Sequence, residues 1–186
     1  MVMIAVIFPF QSIVPTYLPP STIRWGVSGP VATPIELRFG EQIALLGYTV
    51  ETDRVSRGDN MRVTLAWKAL KDVDRNYVLS LKVTGLDRTD YGELETYHGQ
   101  GSLQTGRWKA GDTFTEDYEI TIAKESPEAV GANLTVTLFD ASDLTHLPVT
   151  DGQAKSIGEA TSLALLKIVP SDWPPVPHEA LEHEVA

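Results

Sequence analysis

The chain has 186 residues, with 25 acidic against 15 basic side chains and a formal charge of −10. That balance repels a phosphate backbone, which sets nucleic acid aside as a partner. Cysteine is absent, so there is no disulfide, no thiolate metal site and no cysteine nucleophile, and the lack of it fits either redox compartment. Apolar residues make up 42% and charged residues 22%, a globular mix at a length that suits one hydrophobic core.

Residues 1–14 (MVMIAVIFPFQSIV) carry no charge and are nearly all apolar. A spanning helix needs about 20 such residues. A signal peptide needs a leading Lys or Arg and a small-residue cleavage site, and neither is present. Two readings stay open: a buried first strand over residues 2–8, or the end of a transmembrane helix. Pro15, Pro19, Pro20, Pro30 and Pro34 then make residues 15–34 a semi-rigid linker, the form a stalk leaving a membrane takes.

From Phe39 onward apolar residues recur at every second position, the period of a strand with one buried face. Met61, Val63, Leu65, Trp67 and Ala69 form one such row, and Tyr77, Leu79, Leu81 and Val83 the next. Phe114, Tyr118, Ile120 and Ile122 form a third, and Leu134, Val136 and Leu138 a fourth. Residues 42–50, 93–98, 146–149 and 162–169 bring the total to about eight strands. Turns fall between them at Gly58, Gly101, Gly111 and Gly152. The expected fold is all-β, a two-sheet antiparallel sandwich of immunoglobulin-like or jelly-roll-like form over residues 35–169. Residues 170–186 are proline-rich and then acidic, and read as a mobile tail.

Tests for chemistry mostly fail. His178 and His183 stand five apart rather than the four of H-E-x-x-H, so a helix would not bring them to one face. No G-x-S-x-G elbow or phosphate loop is present, and no cofactor is expected. Carboxylates such as Glu95, Asp112, Glu116, Asp117 and Glu119 offer glycosidase pairs on paper, but strand phase turns most of them outward and an acidic chain supplies such pairs by chance. Asp87, Asp90 and Glu93 could present hard oxygens to calcium, as could Asp140 and Asp143. Neither group has EF-hand spacing, and turn carboxylates that keep a sheet soluble are the plainer account.

Carbohydrate binding is the specific idea that remains. Sugars stack apolar faces on aromatic rings while polar groups hold their hydroxyls. Trp67 is excluded by its core phase. Tyr91, Tyr97, His98, Gln100 and Trp108 form a polar and aromatic stretch that suits the purpose, with the alternative that Trp108 plugs the end of the sandwich. Asn133-Leu134-Thr135 matches the glycosylation sequon but sits mid-strand.

The opening Phe39-Gly40-Glu41-Gln42-Ile43-Ala44-Leu45-Leu46-Gly47-Tyr48 is followed in order by Arg57-Gly58-Asp59, Leu65-Ala66-Trp67 and Leu103-Gln104-Thr105-Gly106-Arg107-Trp108. Leu138-Phe139-Asp140 and Leu147-Pro148-Val149 complete the set. Over residues 35–168 this resembles the extracytoplasmic C-terminal β-sandwich module of bacterial mannosyltransferase-like multi-pass membrane glycosyltransferases. The resemblance implies a non-catalytic accessory domain, extracytoplasmic and membrane-proximal, with any sugar chemistry in a membrane part outside this chain. Its implied partners are a glycan or envelope component, or the membrane-embedded part of the same protein. The other readings are a structural or protein-interaction sandwich and, third, a glycoside-active enzyme.

Overall fold

The computed structural model describes residues 23–25, 31–127 and 130–170, and for 23–25 the backbone alone. The readings of residues 1–14 and of the tail with its two histidines lie outside the described residues. No helix among the described residues is long and apolar enough to cross a membrane.

Two sheets stack as a sandwich. In chain order the strands are β1 (Ile23–Trp25), β2 (Thr33–Phe39), β3 (Ile43–Val50), β4 (Arg54–Ser56), β5 (Asn60–Ala69) and β6 (Tyr77–Gly85). Then follow β7 (Asp90–Tyr97), β8 (Thr113–Thr121), β9 (Val130–Asp140), β10 (Val149–Asp151), β11 (Ser156–Gly158) and β12 (Thr161–Val169). One sheet has seven strands in the order β1-β8-β5-β3-β2-β10-β11, and the other has five in the order β4-β12-β9-β6-β7. All pairs are antiparallel except β4 with β12.

The long strands follow their period. Met61, Val63, Leu65, Trp67 and Ala69 of β5 are all buried, facing Leu79, Leu81 and Val83 of β6 and Leu134, Val136 and Leu138 of β9 in one core. At roughly 25 cal/mol per Å² of apolar area removed from water, these rows supply most of the drive for closing the sandwich. β3 steps around a bulge between Leu45 and Gly47 that appears in both its ladders. Gly47 is needed there, because a Cβ would stand 2.9 Å from the Thr33 carbonyl and 2.3 Å from the Val31 side chain.

Three expectations change. The strands exceed eight, since three-residue β1, β4, β10 and β11 are too short to show a period. The stretch 15–34, expected as linker, contributes β1 to the edge of the larger sheet against β8, and β2 already begins at Thr33. The strand expected over 146–149 is displaced to Val149–Asp151, with His146 making an isolated bridge to Phe139.

Candidate functional site

Strand β8 sets the geometry at one end of the molecule. Its register places Phe114 opposite Trp67, Glu116 opposite Leu65 and Tyr118 opposite Val63, so Glu116 stands in the core-facing row. Glu116 is 1% exposed. The Nδ1 atom of fully buried His98 lies 2.7 Å from its Oε2, and the Gly99 backbone N–H donates to its Oε1 at 2.6 Å. This carboxylate therefore holds a 3-10 turn, His98–Gly101, in which Gly99 and Gln100 both have positive φ. The His98 ring meets Trp67 and Trp108 edge-on, at 5.2 and 4.7 Å between centroids. Burial, and then the Glu116 charge, push the neighbouring Tyr118 hydroxyl well above the usual tyrosine pKa.

Of the residues expected to stack a sugar, Trp108, His98 and Tyr91 are all buried. They offer a ligand no ring face. Trp108 plugs the end of the sandwich against Phe114, 4.6 Å away, and its carbonyl accepts from the Val73 N–H. Tyr91 is drawn in beside Gly85, with its hydroxyl donating to Asp87. Gln100 is exposed at the tip of the turn, and Tyr97 is half-buried on the outer face of the five-stranded sheet.

The calcium candidates are occupied by their neighbours. Asp87 accepts from the Thr89 backbone and side chain and from Tyr91. Asp90 accepts from Thr84, and Glu93 pairs with Lys82 at 2.5 Å. No cluster of acidic, histidine or cysteine side chains suited to a metal occurs among the described residues. Most carboxylates of the strands are expected to face outward; Glu116 stands on the core side of β8, and its pairing with His98 explains why the core tolerates it.

Of the expected aromatic set, Tyr97 is the one that is not buried. It lines an open cleft of about 600 Å³ with Arg75, Asn76, Asp140, Ala141, Ser142 and Asp143. The cleft is assembled from three places in the chain. Asp140 ends β9 and accepts from the Ser142 N–H at 2.8 Å, the Ser142 hydroxyl at 2.7 Å and Arg75 Nη1 at 2.8 Å. Asp143 approaches the same guanidinium at 4.0 Å. Asn76 uses its side-chain oxygen to accept from the Gly106 N–H, which leaves its amide nitrogen as a donor. Gly106 leaves room for this approach, since a Cβ would stand 2.8 Å from that oxygen and push the Asn76 amide aside. The Thr105 hydroxyl donates to the Arg75 carbonyl and accepts from the Tyr77 N–H, tying the arginine segment to the turn before Trp108. Beyond the cleft, Tyr97, Val78, Phe139 and His146 follow one another across the outer face, with the last two rings 5.5 Å apart.

The Ser142 side-chain and backbone donors, then the Arg75 guanidinium, hold the Asp140 carboxyl down at about 2. A folded-state pKa below the unfolded value contributes stability that is fully present above about pH 4 and lost as the pH falls toward 2. Urea midpoints of the wild type and Asp140→Asn are expected to differ at pH 6 and to converge by pH 2. A gap that persists at pH 2 would show that the carboxylate form is not what matters.

No family model matches the chain, and no curated protein matches it in sequence. The resemblance seen over residues 35–168 thus gains no support from a sequence match. Among solved structures, the C-terminal domain of wzt is 11% identical with a TM-score of 0.46, over 79% of this chain and 93% of that one. A Niemann-Pick type C2 protein from Japanese carpenter ant is 10% identical with a TM-score of 0.37, over 76% of this chain and 100% of that one. Likenesses this distant carry no argument about what the chain binds.

Proposed function

We propose that this chain is a non-catalytic binding domain that takes a glycan at the end carrying Tyr97 and Asp140. The observation behind the proposal is the cleft in which the Tyr97 ring stands beside a guanidinium, an amide, a serine and two carboxylates. Such a set meets both needs of a sugar: a ring for its apolar face, and donors and acceptors for its hydroxyls. Arg75, Asp140 and Ser142 are already fixed by one another, so a ligand orders little on binding. With one cation against two carboxylates the cleft is net negative, which favours a neutral glycan over an acidic one.

The domain's place is outside the cytoplasm and next to a membrane. Supporting this are the uncharged residues 1–14, the prolines that follow them, and the resemblance of residues 35–168 to a glycosyltransferase-associated module.

Affinity electrophoresis through gels containing neutral polysaccharides tests the binding reading. Tyr97→Ala is expected to weaken retention about tenfold, with an unchanged circular dichroism spectrum. Retention by none of the polysaccharides, or equal retention of the variant, would overturn it.

A further inference from the structure

The surface that begins in the cleft does not end at Tyr97. On the outer face of the five-stranded sheet, Val78 of β6 lies opposite Tyr97, Phe139 of β9 lies opposite Val78, and His146 bridges to Phe139. The core takes the alternate residues Tyr77, Leu79 and Leu138, so this row faces outward. Tyr97 and Phe139 are half-buried and His146 is exposed, and the last two rings stand 5.5 Å apart. Val78, the short side chain between Tyr97 and Phe139, leaves a shallow floor between the rings.

Polar groups along the row are open to a ligand. The Tyr97 hydroxyl and the His146 ring nitrogens make no hydrogen bond with another described residue. Neither does the carboxylate of Glu95, which lies on the same face two residues before Tyr97 and opposite Ser80. Arg75, Asp140 and Ser142 of the cleft, in contrast, already hold one another. Rings in a row with unengaged donors and acceptors beside them meet the needs of successive sugar units, whose apolar faces stack and whose hydroxyls require partners.

Neighbouring strands lie about 4.8 Å apart, so Tyr97 and Phe139, two strands apart, are separated by roughly 10 Å. A single pyranose ring is too small to touch both. We propose that the glycan held at the cleft is an extended chain, with one unit beside Tyr97 and Asp140 and the next units crossing Val78 onto Phe139 and His146. This rests on the glycan reading of the cleft and adds the class of ligand, a linear neutral polymer rather than a mono- or disaccharide, together with two specificity residues. A protein partner suits the row less well. A stable interface covers about 800 Å² on each side with an apolar centre, whereas this face turns charged toward the middle of the sheet, at Glu95, Glu93 and Lys82.

The length of the glycan is what the test reads. Amylose, mannan, galactan and xylan are run in affinity gels, and the two-unit and six-unit oligomers of each retained polymer are titrated into the full nitrogen-15-labelled chain by NMR. The six-unit oligomer is expected to bind about twentyfold more tightly than the two-unit one, beyond the fivefold that its overlapping two-unit frames give by chance. It should also shift the Phe139 and His146 amides, which the two-unit oligomer leaves in place. Phe139→Ala and, separately, His146→Ala should each lower six-unit affinity about fivefold and leave two-unit affinity unchanged. His146 is exposed, so its variant carries the test should Phe139→Ala fold poorly. A length gain within fivefold, or wild-type affinity in His146→Ala, overturns the extended chain while the cleft still binds. Retention of none of the four polymers overturns both readings together.

Discussion

Glu116→Ala is expected to destabilise the fold by about 3–5 kcal/mol, the range found when one partner of a buried acid–base pair is removed. Glu116 stands in the core-facing row of β8 and is the acceptor for both the His98 ring and the Gly99 backbone N–H. Its loss leaves those two groups without an acceptor, against a wall formed by Trp67 and Trp108. Most small domains hold only about 5–15 kcal/mol in all, so the effect is a large share of the total. Urea denaturation followed by tryptophan fluorescence measures it, and a change under about 1 kcal/mol would remove the pair from the account. Replacing both partners with apolar groups, His98→Phe with Glu116→Leu, should recover much of the loss, because no orphaned polar group remains. The turn held by Glu116 begins one residue after Tyr97, so Glu116→Ala should also loosen the cleft and lower glycan affinity in the fraction that stays folded.

Trp108→Ala is expected to cost about 3–5 kcal/mol of stability, the usual range for truncating a buried tryptophan. The indole is 1% exposed and fills the space between His98 and Phe114. Glycan affinity per folded molecule should stay within about twofold, because Trp108 does not line the cleft. Tyr97→Ala should show the opposite pair of results, with affinity lost and stability kept. Denaturation curves and binding isotherms on the two variants, taken at a temperature where both are folded, separate the roles. A Trp108→Ala protein of normal stability that no longer bound would return the tryptophan to the ligand.

Alternation along the chain determined the strands β5, β6, β8 and β9, the core position of Trp67 and the all-β sandwich. A strand with one buried face writes its own period into the residues that form it. The same rule carried a readable signal for Glu116: a carboxylate at a core-facing position between Phe114 and Tyr118 demands a buried partner. That partner, His98, lies on a turn 18 residues earlier, and no period connects the two. Short strands such as β4 and β10 were decided by pairing, since three residues hold too little pattern. Tertiary packing alone decided which aromatics of β7 and the turns after it are covered. Tyr91, His98 and Trp108 lie within one polar and aromatic stretch with Tyr97, yet only Tyr97 lines the cleft, because packing against β5, β8 and Gly85 draws the others inward. The cleft itself joins residues 75–76, 97 and 140–143, brought together by the β6–β7 and β6–β9 ladders. Local spacing encodes which face of a strand is buried, but what covers a loop is set by contacts between residues far apart in the chain.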